Sequence, residues 1–242
     1  MKKLENFNVE EVLKELYKRR EYFYSEADFK FNLAWTIKEY FVTNPNIEIK
    51  LEYTNNKLQE TNKYMYIDIA ICEESKIIPI ELKYKTTRCK EDVIIKNHGA
   101  KNLGCYKYLN DINRIETVKE KYKGDFVKGY AIMLTNDKSY LKKPRIQNGR
   151  IPYYANFSIH NGRDVNCIVD ENKSNNEIVY KPGKELKWGK GCGEEHSEKY
   201  KKGIKLKERY KKLQWKQYSD KLENIDEKLK GKFFLLNVEV EG

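Results

Sequence analysis

The sequence lacks any apolar run that approaches the length of a membrane-spanning helix. About 20 consecutive apolar residues are needed to cross a bilayer, whereas 35% of the 242 residues are charged and the mean hydropathy is -0.87. The opening segment MKKLENFNVEEVLKEL carries acidic residues where a signal peptide has an uninterrupted apolar stretch. We therefore expect a soluble, cytoplasmic protein that has no membrane partner.

Cysteine and histidine are too few and too scattered for a disulfide framework or a zinc site. The five cysteines include no CxxC pair, and the three histidines form no cluster with the spacing of metal ligands. We expect reduced thiols, and carboxylates are left as the candidate metal ligands. Aromatic residues make up 13% of the chain, which argues against disorder.

Positive charge, by contrast, is in excess and unevenly spread. The formal net charge is +11, and residues 181–232 hold seventeen basic against nine acidic side chains. A polyanion such as nucleic acid is the natural partner of such a surface. Candidate phosphate contacts in this segment are Lys201, Lys202, Lys211 and Lys212. The alternative, that lysine is simply abundant throughout the chain, stays open.

Two helix starts can be read near the N-terminus. Asn8 and Glu11 form a capping-box pattern that predicts a helix over residues 8–22. Ser25, with Asp28 three residues later, predicts the N-cap of a second helix. Glu26 lies on the apolar side of that helix, at its first turn, which is an unusual position for a carboxylate.

Alternating and helical periods predict an α/β (α+β) fold. Strands are expected over 47–53, 64–72 and 77–85 as an antiparallel meander, followed by a helix in GAKNLGCYKYLNDINRIETVKEKY and a strand over 127–135. We assign 1–136 to a core, with its central part at 25–136. The short pieces YYANFSIH, VNCIVD, IKLKERYKKLQWKQYS and FFLLNVEV predict that 137–242 is a β-rich, basic extension of the same domain.

Charged residues interrupt two of these apolar strands. Glu81 and Lys83 must share one strand face, and Asp68 can occupy the same face of the neighbouring strand. Buried carboxylates need either a compensating ion or an internal salt bridge, and both alternatives are open here. In the first, Asp68, Glu81 and the carbonyl of Leu82 are hard oxygen ligands suited to Mg²⁺, and Lys83 holds or deprotonates a water.

Residues 25–135 resemble the PD-(D/E)XK nuclease superfamily. The resemblance rests on Asp68, twelve intervening residues and then Glu81-Leu82-Lys83 on the next strand, within the order helix, three strands, helix, strand. The chain is also similar to bacterial proteins of this superfamily that carry SEADF, ELKYKT and GAxxxGxYxxxxDIxRIE. Ile67 stands where the proline of the motif would be.

The resemblance implies a restriction-endonuclease-like αβββαβ core, in which helices flank a mixed central sheet. It also implies a Mg²⁺-dependent endonuclease that hydrolyses DNA in defence, restriction or repair, with Mn²⁺ able to substitute. Asp68 and Glu81 would bind the metal, Lys83 would serve the attacking water and Glu26 would assist. DNA is favoured over RNA on this ground alone, and a homodimer is compatible with it.

Two other function classes stay open. One is a non-catalytic nucleic-acid-binding module, and the other is a protein-interaction domain whose acidic and basic residues form a structural ion-pair cluster. On the helix after the motif, Lys101, Lys107, Asp111 and Arg114 form a polar face that could reach a phosphate. We expect this face to be solvated instead.

Overall fold

The computed structural model describes residues 1–60, 63–87, 98–171, 177–190, 203–210, 212–218 and 232–242. Within them the chain forms the α-helices α1 (Val9–Arg19), α2 (Glu26–Tyr40) and α3 (Lys101–Tyr122). The strands are β1 (Glu48–Tyr53), β2 (Gln59–Glu60), β3 (Lys63–Tyr64), β4 (Ile67–Glu73), β5 (Lys76–Lys85), β6 (Lys128–Thr135), β7 (Cys167–Val169), β8 (Tyr180–Pro182), β9 (Trp215–Gln217) and β10 (Phe234–Glu241). No described helix combines the length and the apolar character that crossing a bilayer requires.

Side-chain caps begin the first two helices where the sequence predicts them. The side-chain oxygen of Asn8 accepts hydrogen bonds from the backbone amides of the first turn of α1, and Ser25 Oγ accepts one from Asp28 N at 3.0 Å. The first helix ends at Arg19 rather than at residue 22. The Asp28 carboxylate accepts hydrogen bonds from Arg20 Nη2 and Tyr24 N, both at 2.9 Å, and so holds the chain in a turn there.

Six strands form one mixed sheet in the order β1-β4-β5-β6-β10-β9. β1, β4 and β5 are the expected antiparallel meander, and β6 returns through α3 to lie parallel to β5. The α/β class and the mixed sheet with its helices are therefore confirmed. The second meander strand begins at Ile67 instead of residue 64, because Lys63–Tyr64 pairs with Gln59–Glu60 in a separate hairpin.

The C-terminal part of the chain completes this sheet. β10 pairs with β6 over its full length, from Phe234 opposite Thr135 to Glu241 opposite Lys128, and β9 pairs with β10. The segment YYANFSIH is not a strand, and that expectation is wrong. It forms a 3-10 helix at Ala155–Phe157, where a turn after Pro152 buries Ala155 and Phe157.

The two faces of the sheet carry separate hydrophobic cores. Ile69, Ile80 and Leu82 pack with α1 and α2 on one face. The other face, which includes Ala70 and Met133, packs against α3. Because side chains alternate along β5, Glu81 and Lys83 point away from Leu82 and towards α3. Glu81 and Lys83 therefore lie between the sheet and α3, and not in open solvent.

Candidate functional site

The register of β4 and β5 brings the predicted acidic residues together. Ile69 pairs with Ile80, so Asp68 lies opposite Glu81 at the point where β4 begins. β5 continues to Lys85 beyond this pair, and two of its backbone amides donate to carboxylates. Leu82 N donates to Asp68 Oδ2 and Tyr84 N donates to Glu26 Oε2, each at 2.8 Å. Asp68 and Glu26 thus hold the protruding end of β5.

Glu81 is a buried carboxylate paired with an arginine of α3. Its side chain is only 2% exposed, and Arg114 Nη2 lies 3.1 Å from Glu81 Oε1. Burial raises the pKa of Glu81 well above its ordinary value; Arg114 opposes this rise, and the negative charges of Asp111 and Asp68 add to it. Arg114 therefore does not offset the combined effect of burial and of the two neighbouring acids on Glu81.

Lys83 is held by a second buried acid of α3. Lys83 Nζ lies 2.8 Å from Asp111 Oδ2 and donates a hydrogen bond to the carbonyl of Leu82, also at 2.8 Å. Burial lowers the pKa of Lys83, but the charges of Asp111 and Glu26 outweigh burial and raise it above its ordinary value. Burial raises the pKa of Asp111 to about 6 despite its contact with Lys83. Lys83 is accordingly a protonated donor near neutral pH.

Asp68 has its own cation from α2. Lys30 Nζ lies 2.9 Å from Asp68 Oδ1 and also contacts Glu52 of β1. Burial raises the pKa of Asp68, but the hydrogen bond from Leu82 N and the charges of Lys83 and Lys30 bring it below its ordinary value. Asp68 is therefore ionised. We call Glu26, Lys30, Asp68, Glu81, Lys83, Asp111 and Arg114 the ionic cluster.

Sequence reasoning missed three members of the ionic cluster or misjudged their surroundings. Lys30 follows Glu26 by four residues, so the two share a face of α2, and this spacing could have been noticed. The expectation of a solvated face on α3 is wrong for Asp111, which is 3% exposed, and for Arg114, which contacts Glu81 and the Tyr66 carbonyl. Asp111 lies four residues before the buried Ile115, so the two share a face of α3, and this spacing was the available signal.

The other predicted phosphate contacts lie elsewhere or outside the described chain. Lys101 donates to the carbonyl of Ser139, in the 3-10 helix Lys138–Leu141 that follows β6. Lys107 lies on α3 one turn before Asp111. Lys212 is exposed and precedes β9, at the opposite edge of the sheet from β1. Lys201, Lys202 and Lys211 are outside the described residues.

The chemistry of the donors suits a hard cation, although the carboxylates also have protein partners. Asp68, Glu81 and the Leu82 carbonyl lie on adjacent strands and offer the oxygen donors that Mg²⁺ binds. Lys30, Arg114 and Lys83 contact these same three groups. Within the described parts of the chain, no three His, Cys, Asp or Glu side chains stand ready to hold a metal ion. A bound cation would therefore have to displace at least one of these contacts.

No protein-family model, curated protein or solved structure matches the chain. The function proposed below therefore follows from the geometry of the ionic cluster.

Proposed function

We propose that the protein is a Mg²⁺-dependent endonuclease that hydrolyses phosphodiester bonds in DNA at the ionic cluster. The observation that carries the proposal is the convergence of three acids around Lys83: Asp68 and Glu81 on two adjacent strands, and Asp111 on α3. Metal-assisted phosphodiester hydrolysis needs oxygen ligands, a held water and positive charge near the transition state. The ionic cluster supplies the oxygen donors and the positive charge, and Lys83 is the group that would hold the water.

The arrangement of the elements supports the resemblance to the PD-(D/E)XK nucleases. α2, the meander β1-β4-β5, α3 and the parallel strand β6 follow one another in the order that a restriction-endonuclease-like core has. Two residues of the motif, Asp68 and Glu81, lie opposite each other, and Lys83 is on the same face as Glu81. The net charge of +11 supports a polyanionic substrate.

The raised pKa of Glu81 favours a bound cation. A buried carboxylate beside two other acids must either take up a proton or meet additional positive charge. Asp68, Glu81 and the Leu82 carbonyl would hold Mg²⁺, and Mn²⁺ could replace it. The metal would polarise a phosphoryl oxygen and lower the pKa of a bound water.

Lys83 acts as a donor and a fixed positive charge. Because Asp111 and Glu26 raise its pKa, it keeps its proton at neutral pH and does not serve as the general base. Its ammonium would orient the attacking water and stabilise charge on the phosphoryl group. Asp111 is then a positioning residue, and Glu26 positions the same strand through its hydrogen bond to Tyr84 N.

The test is Mg²⁺-dependent cleavage of supercoiled plasmid and of single-stranded oligonucleotides. Wild type should cleave at least one substrate, and Asp68→Asn and Glu81→Gln should each lower the rate by at least ~10²-fold. Glu48→Gln, an exposed carboxylate of β1 outside the ionic cluster, is the matched control and should behave as wild type. Equal cleavage by all four proteins would contradict the proposal.

A cluster with a purely structural role would contain the same ion pairs. The assay must therefore also distinguish a nuclease from a protein that is not catalytic. If wild type cleaves nothing but binds DNA in a salt-dependent manner, the protein is a non-catalytic nucleic-acid-binding module. If it neither cleaves nor binds, the ionic cluster belongs to a protein-interaction domain. In both cases Mg²⁺ should leave the melting temperature unchanged, whereas a metal site should raise it.

A further inference from the structure

One cation beside the ionic cluster has no partner among the residues that the structure describes. Lys85 is the last residue of β5, two positions after Lys83 and on the same strand face. Its side chain is partly buried, and among the described residues its ammonium makes no hydrogen bond or ion pair. Lys30, Lys83 and Arg114 each have a carboxylate within ion-pair distance. Lys85 therefore differs from every other cation of this site.

The groups around Lys85 do not supply the missing charge. Glu26 is the acid whose charge favours protonated Lys85 most, but one of its carboxylate oxygens accepts the backbone hydrogen bond from Tyr84 N. The charge of Asp111 has a weaker effect on Lys85, and the cation nearest to Asp111 is Lys83. Burial lowers the pKa of Lys85, Glu26 opposes this, and the positive charges of Lys107 and Lys83 lower it further. Among the described residues, two further cations, Lys107 and Lys83, therefore act on the same end of β5 as Lys85.

The position of Lys85 in the fold suits a ligand. Lys85 pairs with Thr135 at the carboxyl ends of β5 and β6, which are the two parallel neighbours in the sheet. In sheets of this kind, ligands bind in the crevice outside the carboxyl ends of parallel strands. Lys107, in the N-terminal half of α3, is close enough for its charge to act on Lys85. An anion placed here would meet Lys85 and Lys107.

We propose that Lys85 is a phosphate-binding residue, which holds a backbone phosphate of the nucleic acid next to the one that reacts at Lys83. The inference rests on the proposed function for the identity of the ligand, but its physical basis is the unpaired, partly buried ammonium. A partly buried charge that lacks a partner is unfavourable in the free protein and favourable once an anion arrives. Lys85 is thus expected to reduce stability and to increase affinity.

The experiment measures both quantities in EDTA, so that catalysis plays no part. Wild type, Lys85→Met and Lys57→Met are compared by thermal melting and by fluorescence anisotropy with a 20-nucleotide DNA over a series of salt concentrations. Lys57 is an exposed lysine paired with Asp125 and is the matched control for the loss of one positive charge. Inorganic pyrophosphate serves as a second, sequence-free probe in the melting experiment.

Lys85→Met should melt at the same temperature as wild type or higher, and pyrophosphate should raise the melting temperature of wild type and of Lys57→Met but not that of Lys85→Met. The affinity of Lys85→Met for DNA should be about tenfold lower than that of wild type, as expected for the loss of one charge-assisted hydrogen bond. The slope of log affinity against log salt should become shallower by about 0.9 or less, the value for one phosphate contact. Lys57→Met should change the affinity by less than about twofold.

Two results would overturn the inference. Unchanged affinity and salt slope in Lys85→Met would show that the residue does not touch phosphate, and a lower melting temperature without ligand would show a structural role. Either result leaves the proposed function standing if wild type still cleaves DNA and Glu81→Gln does not. Conversely, suppose that wild type binds DNA through Lys85 and yet cleaves no substrate. That result would support the anion site at Lys85 and refute the proposed nuclease activity.

Discussion

Replacing Lys83 alone should destabilise the protein, because it leaves a buried acid without its cation. Asp111 is 4% exposed in its side chain, and Lys83 Nζ lies 2.8 Å from its Oδ2. Removing one partner of a buried ion pair costs ~3–5 kcal/mol. Arg114 Nη1 is 3.9 Å from the other carboxylate oxygen of Asp111, and the pKa of Asp111, about 6, makes protonation accessible. We therefore expect Lys83→Met to lose about 3 kcal/mol, the lower end of that range.

Replacing both partners should restore most of this loss. Apolar residues in place of a buried ion pair are often neutral or stabilising, so Lys83→Met combined with Asp111→Leu should come within ~1 kcal/mol of wild type. Asp111→Leu alone leaves Lys83 buried with only the Leu82 carbonyl and more distant acids, and should cost about as much as Lys83→Met. The double-mutant cycle should then show a coupling of about 3 kcal/mol or more.

The assay is urea denaturation of the four proteins in EDTA at neutral pH, with the free energies compared at equal m-values. Additive losses in the double variant, or a Lys83→Met protein as stable as wild type, would refute the reasoning. The cycle also matters for catalysis. Lys83→Met can lose activity by unfolding, whereas the stable double variant loses it only if the site is catalytic, and there we expect a decrease of at least ~10²-fold.

The remaining predictions concern the pH dependence of stability, the hydrogen bonds of a buried carboxylate and one close packing contact. The raised pKa of Asp111 means that the folded state binds its proton more tightly than the unfolded state, whose pKa is ~3.9. The contribution of Asp111 to stability is therefore complete below pH 4 and lost as the pH rises through 6. From pH 4 to 7 the unfolding free energy of wild type, taken relative to that of Asp111→Asn, should fall by on the order of 2 kcal/mol. A difference between the two proteins that stays constant with pH would contradict this. Glu116→Ala should cost ~2–4 kcal/mol in thermal unfolding, because Lys207 N, Glu208 N and Tyr210 Oη would lose their acceptor, and a loss below ~1 kcal/mol would show that water replaces it. Gly104→Ala should cost ~1–3 kcal/mol because its Cβ would overlap Tyr140 Oη, and Tyr140→Phe should relieve this cost; no relief in the double variant would refute the contact.

The local features of the fold could be predicted from the sequence. Caps at Asn8 and Ser25 fix the helix starts because they satisfy backbone amides within three residues. Alternation along β5 places Glu81 and Lys83 on one face, because the side-chain period of a strand is two. The pairing of β10 with β6 has no such local signal, since it joins segments about a hundred residues apart. YYANFSIH alternates like a strand, but a turn at Pro152 decides its structure.

The acids and the lysine of the candidate site could be found from sequence, but most of their partners could not. Asp68, Glu81 and Lys83 interrupt apolar strands, and a charged residue in such a place is visible in one sequence. Which cation neutralises which acid depends on how α2 and α3 pack on the sheet. Lys30 and Arg114 reach their acids across such a packing contact. The sequence alone does not distinguish a solvated charged residue of a helix from a buried one, because burial depends on how the helix packs on the sheet.

The metal site at Asp68 and Glu81 is the central claim, and diffraction from crystals soaked in Mn²⁺ tests it most directly. The account predicts an anomalous peak within about 2.3 Å of carboxylate oxygens of both residues, near the distances that hard divalent cations adopt. Lys30 Nζ should then have moved beyond the 2.9 Å that separates it from Asp68 Oδ1 in the structure described above. No peak at this place, together with intact Lys30–Asp68 and Arg114–Glu81 ion pairs, would contradict the claim and leave the cluster with a structural role.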